Sequence, residues 1–222
     1  MVIRMKPLGW ATAALVVALA ATACGESKNV YVSNPQESVF FRVPKTWRIF
    51  RLTASDTEGR PETLPASVER TWHLAADSDA NPDLVHLVEH GAQQPILDAG
   101  VYTLSESAND RMSLSQVRTI AFGVTDPISY DPGAPPRWEI VADSYKPLAF
   151  PKGVTGNRVA INVPDPDAPD DKTKWATIDA VTIHDPVSSR VYIFKIRCAS
   201  QCYLDNRAEI NEILESWTVN RT

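Results

Sequence analysis

The chain has 222 residues, 44% of them hydrophobic, with a formal net charge of −5. That is enough length and apolar content for a sizeable core in one domain. The acidic balance argues against a nucleic-acid-binding protein that works by neutralising phosphates, and against a polybasic grip on anionic lipid.

Met1 to Lys6 carries Arg4 and Lys6 without an acid, and Leu8 to Ala21 is almost wholly apolar. A basic start, a short apolar run and small residues before a cut are the layout of a secretory signal peptide. A membrane-spanning helix needs about 20 apolar residues, so a retained span is the poorer fit. Leu19-Ala20-Ala21-Thr22-Ala23-Cys24 resembles the lipobox of bacterial lipoproteins. The resemblance implies a diacylglyceryl group on the Cys24 thiol and cleavage that leaves Cys24 as the N-terminus. Residues 1–23 are then a signal peptide and 24–29 a linker, followed by one α+β domain over 30–219. Ala21-Thr22-Ala23 also satisfies the A-x-A rule of ordinary signal peptidase, which would give a secreted form instead. Two acyl chains anchor a protein stably, so the expected place is the outer face of the cytoplasmic membrane, extracytoplasmic and lipid-anchored. Without residues 1–23, which hold two bases and no acid, the net charge moves from −5 to −7.

Ser38 to Leu52 reads as two β-rich runs about the Pro44-Lys45-Thr46 turn, a hairpin with Val39, Phe41 and Val43 on one face and Trp47 and Ile49 continuing the alternation. Thr53 to Ser67 is a loop, with Gly59, Pro61 and Pro65. Val68 to Leu74 and Leu84 to His90 are strand candidates, although Asn81-Pro82 before the second would also start a helix. Leu114, Val117 and Ala121 share a stripe and predict a helix over Asp110 to Ala121. Prolines break the pattern over Asp126 to Pro136; Trp138 to Val141 is a short strand, Pro147 to Gly156 a loop, and Val159 to Val163 a strand.

Near the C-terminus, Trp175 to His184 and Arg190 to Arg197 predict an antiparallel hairpin joined by Asp185-Pro186-Val187-Ser188-Ser189. Tyr192, Phe194 and Ile196 take one face, Lys195 and Arg197 the other. Ile210, Ile213, Leu214 and Trp217 then form one stripe of a helix over Leu204 to Trp217. Cys198 and Cys202, four apart, predict a disulfide, worth about 2 kcal/mol for so short a loop. That pairing leaves Cys24 as the odd cysteine, which acylation accounts for.

Phe41-Arg42-Val43-Pro44-Lys45-Thr46-Trp47, the final hairpin, and Asn211 to Val219 with its Ile213-Leu214-Glu215-Ser216-Trp217 resemble the two ends of the Mog/PsbP-like domains common among bacterial lipoproteins. The resemblance implies a central antiparallel sheet flanked by helices on both faces, an α/β/α sandwich, and a binding or assembly module without a shared active site.

Three candidate chemical sites stand out. His86-Leu87-Val88-Glu89-His90 matches H-x-x-E-H, where His86 and His90 would ligate zinc beside Glu89 as base; on a strand Glu89 points away from both histidines, and an edge strand explains them as well. Asp165-Pro166-Asp167-Ala168-Pro169-Asp170-Asp171 is acidic but lacks the glycine and closing glutamate of a calcium loop, so a solvated loop is the simpler assignment. Of the tryptophans, Trp47 and Trp217 are expected in the core, with Trp72, Trp138 and Trp175 open between core and ligand stacking. No catalytic set emerges, so no enzyme activity and no cofactor are expected. The expected function is a membrane-anchored binding module for an unidentified protein or small ligand; the alternatives are an apolar-ligand or lipid carrier and, third, a zinc hydrolase.

Overall fold

The computed structural model describes residues 27–53, 67–87, 92–123, 138–150, 153–164 and 175–219. The C-terminal hairpin is its spine. β9 (Trp175–Asp185) and β10 (Arg190–Ala199) pair antiparallel from Arg190 opposite Asp185 to Ala199 opposite Ala176. Their turn is built by one side chain: Asp185 accepts from the Val187 and Ser188 N–H groups and from the Ser188 hydroxyl, and Ser189 takes a positive φ of 52°.

β5 (Ile96–Leu104) pairs the other edge of β10, then come β4 (Val68–Asp77) and β3 (Arg48–Arg51). On the far side β9 is followed by β8 (Thr155–Pro164), against which β6 (Glu139–Ile140) and β7 (Lys146–Ala149) lie. This eight-stranded sheet is antiparallel throughout. A second, three-stranded sheet runs β1 (Asn29–Asn34), β2 (Val39–Pro44) and β11 (Thr218–Val219).

The sheet dominates, with four short helices among the described residues: α1 (Glu106–Asn109), α2 (Leu114–Phe122), α3 (Ser200–Asp205) and α4 (Arg207–Glu215). Strand alternation decides where two of them pack. Tyr192, Phe194 and Ile196 join Ile210, Ile213 and Leu214 of α4 and Val39, Phe41 and Val43 of β2 in the largest core cluster. Val191 and Ile193, on the opposite face of β10, pack with Val117 and Ala121 of α2. A buried aromatic group ties the small sheet to the large one: Phe194 and Trp217 stack at 4.3 Å, and Phe41 lies 4.8 Å from Phe194 and 5.5 Å from Trp217. Full burial of each such side chain is worth about 2–3 kcal/mol.

Several sequence expectations are corrected. Ser38 to Leu52 is not a hairpin: β2 pairs β1 and β11, while β3 pairs β4 in the other sheet. The turn closed by the Trp47 N–H to the Pro44 carbonyl, 3.1 Å, passes the chain between sheets, and both runs alternate because both face the same core. Leu84 to His90 is not a strand over its described part, where Leu84–Leu87 forms a 3-10 turn. The loop at Pro147 to Gly156 contains part of β7, an edge strand in which a proline without N–H is tolerated. The C-terminal helix is two helices broken at Asn206, whose side-chain amide donates to the Cys202 carbonyl at 2.9 Å. α2 starts later than expected, at a Ser113–Gln116 capping box, and stops at Gly123 with φ 66°. β1 begins at Asn29, inside the expected linker, and β5 had no sequence signal. Residues 54–66 of the first expected loop and the proline-rich 126–136 lie outside the described residues.

Candidate functional site

One end of the large sheet gathers the C-terminal end of β4, the N-terminal end of β5, and the crossing from β2 to β3. Asp77, the last residue of β4 and fully buried, organises the loop that leaves the strand. Its carboxylate accepts from the Asp79 N–H at 2.9 Å and the Asp83 N–H at 3.1 Å, and His86 Nδ1 lies 2.7 Å from its Oδ2. Ser78 is fastened to the Pro95 carbonyl through both its N–H, 3.2 Å, and its hydroxyl, 2.9 Å. These bonds replace strand pairing over 78–87, which is why the apolar Leu84-Val85 pair winds into a turn. The loop they hold faces Lys45, Thr46, Trp47 and Arg48 across an open groove of about 620 Å³, with Gln94 at its side. That volume suits a small ligand or a short peptide segment.

The two walls differ. On the first, Trp47 is buried, with its indole N–H donating to Glu209 at 3.2 Å, so it is floor more than stacking platform. The Arg48 guanidinium makes no hydrogen bond or ion pair among the described residues, and Lys45 stands beside it. On the second, Asp79 Oδ1 is occupied by the Asn81 N–H at 2.7 Å.

A second polar group lies on the α2 side of β4, β5 and β10. Arg70 Nη1 is 3.0 Å from His73 Nδ1, and His73 Nε2 is 2.9 Å from Asp98. Arginine only donates, so Nδ1 accepts and Nε2 carries the proton given to Asp98. Lys195 Nζ sits 3.8 Å from the other Asp98 oxygen and donates to the Ala121 carbonyl at 3.1 Å. Burial acts against the Asp98 carboxylate, but Lys195 and His73 beside it outweigh burial and hold it well below the usual carboxylate range. Burial pushes Lys195 down, with Asp98 opposing. Tyr102 is pushed up to about 12 by burial and the nearby Asp98. Its ring lies across Gly100, where a Cβ would meet it at 2.8 Å, and under Arg70 at 5.5 Å. An acid held ionised is a weak general base, so the group sets a local field more than it offers acid–base chemistry.

The remaining expected site residues are dispersed. Cys198 and Cys202 are joined in a disulfide, as expected, between β10 and the first turn of α3. His86 is engaged by Asp77, while Glu89 and His90 lie outside the described residues, as do Cys24 and the acidic loop 165–171. Among the described residues no three His, Cys, Asp or Glu side chains stand together as a metal site, and no helix is long and apolar enough to cross a membrane. Trp47 and Trp217 are core. Trp72 packs edge-on to Phe41 at 6.5 Å, and Trp138 lies against the Val159–Ile161 cluster; both are half-buried, as is Trp175. Sequence pattern missed Arg48, Gln94, His73 and Asp98, since none belongs to a motif and their neighbours come from distant strands.

No family profile matches the chain, and no curated protein matches it in sequence. Solved structures do. Cyanobacterial PsbP from Synechocystis superposes with a TM-score of 0.51 at 10% identity, over 89% of this chain and 96% of that one. The fold is PsbP-like. LpqN, involved in cell envelope biogenesis of Mycobacterium tuberculosis, gives a TM-score of 0.47 at 12% identity over 87% of this chain and 91% of its own. The Ran-binding protein Mog1p of Saccharomyces cerevisiae gives 0.42 at 10% over 86% and 95%. Identity this low bears on the fold alone, and the two lower scores add no weight to it.

Proposed function

We propose that the chain is a lipid-anchored, extracytoplasmic, non-enzymatic binding module: residues 1–23 a signal peptide, Cys24 the acylated N-terminus, 24–29 a linker and 30–219 one α+β domain whose helices cover both faces of the sheet. The observation that carries the binding assignment is the groove between Lys45–Arg48 and Ser78–Pro82, with the guanidinium of Arg48, which has no partner among the described residues, on its wall. It stands on strand ends and on a loop tied down by Asp77, a rigid support for recognition. The Cys24 assignment is supported by the Cys198–Cys202 disulfide, which leaves Cys24 as the odd cysteine and matches an oxidising compartment.

Three experiments test this. Cys24→Ser should release the protein from the membrane fraction or block its processing; unchanged membrane retention would refute the anchor. A photo-cross-linker at Thr46, in the groove, should trap a partner or ligand in intact cells, whereas one at the exposed Val187, in the β9–β10 turn at the opposite end of the sheet, should not. Equal adducts at both places would remove the groove from the proposal. A native mass spectrum with stoichiometric zinc would instead support the hydrolase, and one with lipid the carrier.

A further inference from the structure

The groove and the anchor end of the chain coincide. The Lys45 N–H donates to the Lys28 carbonyl at 2.9 Å, so the chain enters the fold at the groove's rim. Lys28 is four residues beyond Cys24, and four residues span at most about 14 Å. On the lipid-anchor assignment proposed above, acylated Cys24 therefore keeps this rim within about 14 Å of the headgroups, close to the Debye length of about 10 Å at moderate salt. The net charge of −7 beyond residue 23 is a sum over the molecule, whereas the headgroups meet only the charges near them. Near them are Lys28, exposed, with Lys45 and Arg48 on the groove wall, and Thr46 and Gln94 as neutral donors. The one acid among the described lining residues is Asp79, which accepts the Asn81 N–H and keeps its charge, and Glu209 stands behind the floor as acceptor of the Trp47 indole N–H.

We infer that this groove docks on anionic phosphate headgroups of the membrane that holds the anchor, with Lys45 and Arg48 as the phosphate-facing cations. Docking fixes the domain's orientation: the groove end lies on the bilayer, and the β9–β10 turn with exposed Val187 points away from it.

The test uses the full acylated protein in nanodiscs of phosphatidylglycerol or of phosphatidylcholine, read by hydrogen exchange. The expected result is slower exchange at residues 45–48 and 78–82 in phosphatidylglycerol only, relieved by high salt. Each cation near an anionic surface is worth about a 5-fold bias toward the docked state, so Lys45→Gln/Arg48→Gln should lower the docked-to-free ratio about 25-fold. Lys146→Gln, on β7 at the far lateral edge of the sheet, should leave it unchanged. Equal exchange in the two lipids, or protection that survives the double substitution, overturns the inference while leaving the anchor intact. A chain that enters neither nanodisc refutes the anchor and this inference with it. The same protection given in detergent by glycerol 1-phosphate would assign the site to a soluble phosphate ester and overturn the lipid assignment. Both substituted residues are exposed, Lys45 in the turn and Arg48 at the start of β3, and unchanged exchange in the β9–β10 core certifies that the variant is folded.

Discussion

Asp179 and Asp98 sit on the two strands that flank β10, point to opposite faces, and each meets a cation, yet they are different structures. Asp179 is 2% exposed and receives both Arg158 Nε, 3.0 Å, and Nη2, 2.6 Å, together with the Tyr203 hydroxyl at 2.8 Å. Arg158 also donates to Asn211, so one network links β8 and β9 to α3 and α4. Burial alone would push Arg158 down, but Asp179 outweighs it and holds it up; burial pushes the Tyr203 phenol up, with Asp179 adding to the shift. Asp98 keeps 24% of its side chain exposed, and its lysine partner is a point charge at 3.8 Å. Bidentate geometry and helical cover, rather than the presence of opposite charges, turn an ion pair into a fastening.

The largest effect expected from this contrast is on stability. Asp179→Ala leaves Arg158 buried without its carboxylate and should lose about 3–5 kcal/mol in chemical denaturation, whereas Asp98→Ala should lose about 1 kcal/mol. Equal losses would break the comparison. Next, Cys198→Ser/Cys202→Ser should cost about 2 kcal/mol, because the bridge ties β10 to α3 beside Tyr203 of the same network. A third test sharpens the contrast through pH. The folded pKa of Lys195 lies below its ordinary 10.5, so just below pH 10.5 the unfolded chain binds more protons, and stability should rise with pH there. Asp98 works in the acid range: its lowered pKa makes its contribution complete above the ordinary carboxylate value and lost as pH falls below it. Lys195→Met should flatten the first slope and Asp98→Asn the second, in denaturation measured across pH. The smallest effect belongs to the groove: Lys45→Gln/Arg48→Gln should change stability by under about 0.5 kcal/mol, so any change in membrane docking reports recognition and not folding.

Much of the fold was legible where one face of an element is buried and the other wet. The stripe of Ile210, Ile213 and Leu214 and the Val39, Phe41 and Val43 face follow period rules because each sits at such a boundary, whereas the β9–β10 hairpin, buried on both faces, was legible from its two β-rich runs and the turn residues between them. β5 carried no such signal for a physical reason: it lies inside the sheet and buries Leu97, Ala99 and Val101 on one face and Tyr102 and Leu104 on the other. A strand buried on both faces does not alternate, and Asp98 and Gly100 interrupt even its apolar run. Leu84 to Leu87 misled in the other direction, since its apolar residues imply a strand, while Asp77, several residues earlier, supplies the carboxylate that curls the segment.

The candidate site was legible only as scattered parts. Lys195 and Arg197 were visible as the polar side of β10, but nothing local places His73 and Asp98 beside Lys195, or Arg48 across from Ser78 to Pro82.

By itself the sequence determined the cysteine pairing, the apolar faces and the C-terminal hairpin, because each rests on interactions or spacings within a few residues. Only the tertiary structure decided that β2 and β3 belong to different sheets, that the Asp98 and Asp179 carboxylates differ in cover, and that Lys28, Lys45 and Arg48 meet at one rim. Those outcomes depend on which strands hydrogen-bond across long separations. Alternation along a single strand tells which face is buried but carries no record of the neighbour that buries it.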